Sequence, residues 1–162
     1  MPRYKLRTLL IVLAIGPMVL VAIGQEKNDL AEALYGEWEV VEMIYGATVQ
    51  DFKGQSGGWF LFDKEGVIII PSGKPDEKTL ERYARIKGAK NGMRHATTVR
   101  PGELDIHFWL SQKTNWTQLA KYELSDGKLR IIWGGNPGER PSSFDDAIKD
   151  RRTTYYALKK VE

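Results

Sequence analysis

The sequence has 162 residues, a formal net charge of +3 at pH 7 and no cysteine. The absence of cysteine excludes disulfide bonds, thiolate chemistry and the lipid-modified cysteine of a bacterial lipoprotein. Arg3, Lys5 and Arg7 account for the whole net charge. The rest of the chain is formally neutral, so its composition argues against a nucleic-acid partner, which needs a clustered basic surface.

Residues 1–24 differ in composition from everything that follows. The three basic residues precede an uncharged apolar run over 9–23, and Ala22 and Gly24 place small residues where a signal peptidase needs them. The run is shorter than the about 20 residues that span a bilayer core. This pattern predicts a secretory signal peptide over 1–24. We therefore expect an exported protein, periplasmic or extracellular, that begins at Gln25 and has no stable membrane insertion. An uncleaved membrane anchor is the alternative.

Residues 25–162 have a length typical of one domain. A short helix, capped by Asn28 and reaching Leu34, is followed by segments rich in β-branched and aromatic residues with no long helical period. The predicted strands cover 36–45, 58–62, 66–70, 82–89, 93–99, 104–110, 117–124, 128–133 and 153–160. For 82–89 the pattern leaves an alternative open, a helix that begins after Asp76.

Turn residues connect these strands. Hairpin turns are predicted at 63–66, at Asn91-Gly92, at Pro101-Gly102 and at 125–127. Since consecutive hairpins place neighbouring strands antiparallel, the chain is expected to form an antiparallel meander.

Alternation along the strands predicts which side chains face inward. Leu104, Ile106 and Phe108 share one face of their strand, and His107 lies on the other. By the same rule Tyr122 and Trp133 lie on the apolar faces of the next two strands. Such a meander buries one face most simply by closing on itself, so the predicted fold class is all-β, an up-and-down barrel of about eight strands.

Gly36-Glu37-Trp38, between the short helix and the first strand, resembles the Gly-x-Trp signature of lipocalins and related barrels. The resemblance implies a structural role for Gly36 and Trp38. The glycine permits close approach of helix and strand backbones, and the indole plugs the closed end of the barrel.

A narrower resemblance covers the chain from Leu34 to about Lys160. The chain is similar to the small exported lipocalin-like domains, of uncharacterised function, that are abundant in planctomycete bacteria. The matching segments are Leu34-Tyr35-Gly36-Glu37-Trp38, Phe60-Leu61-Phe62-Asp63, Arg100-Pro101 before Leu104-Asp105-Ile106, the hairpin 122–129, Arg140-Pro141-Ser142-Ser143-Phe144 and Leu158-Lys159-Lys160. This chain departs from the pattern in two places: Lys160 stands where an arginine is usual, and the stretch 72–93 is longer.

Residues that could carry chemistry are sparse. The two histidines, His95 and His107, have no second ligand at a recognised spacing, so no metal and no cofactor is predicted. Asp145 and Asp146 after Ser143 are typical of the first turn of a short helix rather than of a cation site.

The leading functional hypothesis is a binding domain for a small apolar or amphipathic molecule. Its predicted ligand-binding residues are Phe62, Phe108, Tyr122 and Trp133, since their large side chains share the inward faces of the strands. The alternative is a structural or protein-interaction domain with a filled barrel and no ligand. An enzyme ranks third, because no catalytic constellation is present in the sequence.

Overall fold

A computed structural model of the chain describes residues 29–46, 48–52, 57–70, 75–84, 94–111 and 114–161. A helix, α1, covers 29–34. The strands are β1 Gly36–Tyr45, β2 Thr48–Asp51, β3 Trp59–Asp63, β4 Gly66–Ile70, β5 Arg94–Arg100, β6 Glu103–Ser111, β7 Thr114–Ser125, β8 Lys128–Trp133 and β9 Thr154–Lys160. Two further helices are α2 Glu77–Ala84 and α3 Phe144–Lys149.

The strands form a closed antiparallel barrel, as the sequence predicts. Each strand from β3 to β9 pairs with its neighbour in the chain, and β1 pairs with both β3 and β9, which closes a ring of eight strands. The remaining strand, β2, lies outside this ring. It pairs with the second half of β1, beyond the segment of β1 that pairs with β3. The predicted hairpin turns at 63–66, 101–102 and 125–127 are present, whereas Asn91-Gly92 lies outside the described residues.

The structure differs from the predicted elements in two places, a helix at 82–84 where a strand was predicted and a strand, β2, that was not predicted. The strand predicted over 82–89 is wrong for 82–84, which end helix α2, while 85–89 lie outside the described residues. The helix forms because the Asp76 carboxylate accepts a hydrogen bond from the backbone N–H of Thr79 at 2.7 Å, which caps its first turn. Strand β2 was not predicted, since Thr-Val-Gln-Asp shows neither apolar alternation nor a usual strand length.

One end of the barrel is filled by side chains. We call it the closed end; it is the end at which β1 begins, at Gly36, and β9 finishes, at Lys160. The inward side chains at this end and through the middle of the barrel are almost completely buried, and they are Leu34, Trp38, Val40, Val67, Leu104, Ile106, Leu129, Ile131 and Leu158. They form the main hydrophobic core.

Trp38 lies inside the barrel at this end. The indole is 0% exposed, and its Nε1–H donates to the backbone carbonyl of Leu34 at 2.7 Å, which ties β1 to α1. The ammonium of Lys160 lies 5.4 Å from the centre of the Trp38 ring, a cation–π distance.

Gly36 has a reason for being glycine that differs from the expected one. Its φ of +122° is a backbone conformation that other residues rarely adopt. A Cβ built there would meet the Lys160 side chain at 3.3 Å rather than the backbone of α1. The glycine is therefore needed for the positive φ of the turn into β1, whereas the flexible Lys160 side chain can move aside by a few tenths of an ångström.

The loop 134–143, between β8 and α3, crosses the outer surface of β6 and β7. Arg140 pairs with the carboxylate of Asp105 on β6 and donates to the backbone carbonyl of Ala120 on β7. Arg100 binds the other oxygen of Asp105 at 2.6 Å. The Asp105 carboxylate, nearly buried, is therefore held between two guanidinium groups, and the loop is fixed to the barrel wall.

We expect Arg140→Ala to lower the free energy of unfolding by about 2 kcal/mol, because it removes one charged partner of a buried carboxylate while Arg100 remains. Arg152 provides the matched control, since its ion pair with Asp150 is exposed and Arg152→Ala should cost under about 1 kcal/mol. Urea denaturation of both variants measures the difference. Equal losses of unfolding free energy in the two variants would mean that the ion pair between Arg140 and Asp105 does not hold the loop.

Candidate ligand-binding site

The inward side chains become accessible towards the other end of the barrel, which we call the open end. It is the end at which β1 finishes and β9 begins. Six inward apolar side chains there are only half-buried, and we call them the open-end cluster: Met43, Ile69, Phe108, Trp116, Trp133 and Tyr156. Each of these side chains therefore keeps part of its surface exposed although it points inward.

Aromatic rings form two groups on the inner wall of the barrel, and each group includes rings of the open-end cluster. In the first, the Phe60 ring lies 5.3 Å from Tyr156 and 6.3 Å from Trp133, measured between ring centres, and Trp133 lies 4.9 Å from Tyr156. In the second, Phe108 stacks on Trp116 at 5.3 Å with an angle of 16° between the ring planes. Rings of both groups thus offer flat apolar walls to an entering molecule.

The four predicted binding residues all belong to or pack against the main core, but at different depths. Phe62 and Tyr122 are buried members of that core, 5% and 6% exposed. Phe108 and Trp133 are half-buried members of the open-end cluster. Among the described residues, Phe60 bridges Phe62 and Trp133, and no ring contact joins Phe108 to either of them. The geometry therefore separates two core residues from two residues of the accessible half.

Other residues of this half were not identified from the sequence. Tyr156 and Trp116 belong to the open-end cluster, and His95 lies against Phe108 with 4.3 Å between ring centres. Gln118, also on the inward face of β7, donates from its side-chain amide to the backbone carbonyl of Gly134 at 2.7 Å. The register of the paired strands would have identified these residues, because residues directly opposite each other on paired strands lie on the same face of the sheet.

The two histidines occupy opposite faces of the barrel wall. His107 lies on the outer face, as alternation predicts, and its two ring nitrogens contact the hydroxyls of Thr98 and Thr117 at 3.1 and 2.9 Å. His95 faces inward and is 8% exposed, and burial lowers the pKa of its imidazole. In the described ranges, three or more metal-ligating side chains nowhere come together.

Burial also changes the acidity of two inward-facing tyrosines, Tyr156 of the open-end cluster and Tyr122 of the main core. It raises the pKa of Tyr156 to about 12 and raises the pKa of Tyr122 above its usual value. Both phenols are therefore neutral at physiological pH and can act as hydrogen-bond groups without introducing charge.

The raised pKa of Tyr156 predicts an alkaline loss of stability. Between pH 10 and 12 the unfolded chain releases the phenolic proton while the folded chain retains it, so the folded state binds more protons and loses stability as pH rises. The free energy of unfolding should fall more steeply over this interval in the wild type than in Tyr156→Phe. Parallel curves for the two proteins would place the Tyr156 phenol in water.

A separate groove lies on the outside of the barrel, over β8, β9 and the middle of β1. Its volume is about 490 Å³, its floor includes Val41, Tyr155 and Ala157, and Lys128 and Lys159 border it. Val41 sits at an irregularity in the pairing of β1 with β9 and is exposed. This groove contains none of the four predicted binding residues.

None of the protein-family models, curated proteins and solved structures compared with this chain matches it. Within the described part of the chain, no helix combines the length and the apolar character needed to cross a bilayer.

Proposed function

We propose that this protein is an exported lipocalin-like domain that binds a small apolar or amphipathic molecule in the open half of its barrel. The observation that carries the proposal is the contrast between the two ends. Nearly all inward side chains at the closed end and in the middle of the barrel have almost no exposed surface, whereas those of the open-end cluster are only partly buried although they point inward.

The chemistry of the open half suits such a ligand. Its walls are aromatic and aliphatic, and the polar groups on the inner wall among the described residues include the phenol of Tyr156, the amide of Gln118 and the imidazole of His95, which are all neutral. Apolar walls with a small number of placed polar groups are typical of small-molecule sites. A barrel of about eight strands is also the size that holds one small ligand.

Support for the family assignment comes from contacts between separate segments of the proposed signature. Asp105, in the Leu104-Asp105-Ile106 segment, pairs with Arg140 of the Arg-Pro-x-x-Phe segment. Trp38 of the opening segment contacts Lys160 of the closing one. Segments far apart in the sequence thus support one another in the fold. We propose that the protein is exported because residues 1–24 have the pattern of a signal peptide. We propose a binding role rather than a catalytic one because the sequence contains no catalytic pattern.

The binding proposal is tested by titrating fatty acids, isoprenoids and aromatic dyes while following tryptophan fluorescence and melting temperature. A ligand of the open half should change the emission of Trp133 more than that of Trp38, resolved with single-tryptophan variants. It should also raise the melting temperature in proportion to the logarithm of its concentration over its dissociation constant.

Two phenylalanine variants locate the site. Phe108→Ala removes a wall of the open half and should change the affinity, whereas Phe144→Ala, on the outer face against Tyr155, should leave the affinity unchanged. Binding that only Phe144→Ala weakens would move the site to the outside of the barrel. If no compound of the panel binds, the small-molecule proposal fails.

The alternative function is that of a structural or protein-interaction domain without a ligand in the barrel. The observation in its favour is the outer groove, whose apolar floor includes the exposed side chain of Val41. This alternative would be favoured if side chains fill the interior of the barrel and no compound of the panel changes the melting temperature.

A further inference from the structure

His95 brings an imidazole to the inner wall of the open half. It is the second residue of β5 and lies directly opposite Val67 of β4, whose side chain belongs to the main core. Because opposed residues of paired strands share a face, the imidazole must point inward. Its contact with Phe108, which in turn stacks on Trp116, places it beside the open-end cluster.

The Nδ1 atom of this imidazole is buried and has no hydrogen-bond partner in the structure, a situation rare in folded proteins. His107 makes the contrast clear, since both of its ring nitrogens contact threonine hydroxyls. Leaving a buried polar atom without a partner is unfavourable for the folded protein. A ligand that supplies the partner has to displace the side chains that shield Nδ1 from solvent, but it breaks no existing hydrogen bond of this atom.

The state of the imidazole limits the kind of partner. Burial lowers the pKa of His95, so the ring is neutral at physiological pH and offers no positive charge to an anion. In the neutral ring, one nitrogen carries hydrogen and the other accepts a hydrogen bond. A hydroxyl group both donates and accepts, so it can pair with Nδ1 in either tautomer.

We propose that His95 is the polar contact of the binding site, and that the ligand is an apolar molecule with a hydroxyl group that hydrogen-bonds to Nδ1. The apolar body of the ligand lies against the neighbouring rings of Phe108 and Trp116. This inference rests on the proposed binding function and adds the chemical class of the ligand.

The test compares two probes of nearly equal shape, 2-naphthol and 2-methylnaphthalene, which differ by a hydroxyl in place of a methyl group. The wild-type protein should bind 2-naphthol about tenfold more tightly, the factor expected for one hydrogen bond to a buried partner. In His95→Phe, which keeps an aromatic ring but loses the nitrogen, this preference should disappear while 2-methylnaphthalene still binds. In the outer-face control His107→Phe, the preference should remain.

A second measurement needs no variant at position 95. The chain has two histidines, so the nitrogen resonances of the imidazoles can be assigned with His107→Phe alone. Addition of 2-naphthol should shift the Nδ1 resonance of His95, and 2-methylnaphthalene should shift it much less.

The outcomes separate this inference from the function on which it rests. If both probes bind with equal affinity in the wild type, or if the preference for 2-naphthol persists in His95→Phe, the hydroxyl contact is overturned while binding in the barrel stands. If neither probe binds to the wild type or to a variant, the hydroxyl contact is overturned, and the binding function fails as well if no fatty acid, isoprenoid or dye of the panel binds. If haemin binds through His95 with a Soret shift and 2-naphthol shows no preference, the imidazole is an iron ligand and the proposal is wrong.

Discussion

Replacement of Trp38 by alanine should lower the free energy of unfolding by about 3 to 5 kcal/mol, the range for large aromatic side chains deleted from cores. Trp38 is 0% exposed at the closed end of the barrel. The variant would open a cavity among the packed side chains. It would also leave the Leu34 carbonyl without its indole donor and Lys160 without the ring beneath it.

Denaturant unfolding of Trp38→Ala measures this loss, and Tyr45→Ala is the control. Tyr45 lies on the same strand, β1, but is 64% exposed, so its replacement should change stability by under about 0.5 kcal/mol. A loss below about 1 kcal/mol for Trp38→Ala would place the indole outside the core and remove the structural basis of the lipocalin comparison.

Gly66→Ala should lower the free energy of unfolding by about 2 to 6 kcal/mol, the sum of backbone strain and overpacking. Gly66 begins β4 with a φ of +134°, and a Cβ there would lie closer than 3.0 Å to the backbone carbonyl oxygen of His95. Real Cβ atoms essentially never approach another atom so closely, so β4 and β5 would have to separate.

The matched control for this change is Gly102→Ala, in the turn between β5 and β6. Gly102 also has a positive φ, +70°, but a Cβ there would meet nothing within 4 Å. Only the conformational cost of about 1 to 2 kcal/mol is expected. Thermal and denaturant unfolding of both variants separate steric overlap from backbone strain. Equal losses would show that β4 and β5 accommodate the extra methyl group.

The sequence predicts the barrel well where polar and apolar residues alternate clearly. In β6 to β8 the inward positions Leu104, Ile106, Leu129 and Ile131 are apolar and their neighbours are mostly polar, so period and face both follow from local pattern. The hairpin turns carry their own residue preferences, as at Asp126-Gly127, where both residues have positive φ.

The candidate site was predicted less completely. Where apolar and polar residues do not alternate along a strand, the sequence does not show which side chains face inward. In β9, Tyr155 faces outward beneath Phe144 while Tyr156 faces inward, and no local feature distinguishes one tyrosine from the other. His95 lies between Arg94 and Ala96, a stretch without an alternating apolar pattern. Its position depends on pairing with Val67, which is a property of the fold rather than of the segment.

Closure of the barrel by β1 and β9 has a consequence for how the chain folds. The first strand must pair along almost its whole length with the last one, from Trp38 with Lys160 to Tyr45 with Thr154. Contacts between such distant parts of a chain form slowly, because a large loop must close before the pairing stabilises it. Until 154–160 are in place, β1 and β8 each present an unpaired edge, and unpaired edges are templates for association with other chains. Protein truncated before β9 should therefore aggregate rather than remain as a smaller folded domain.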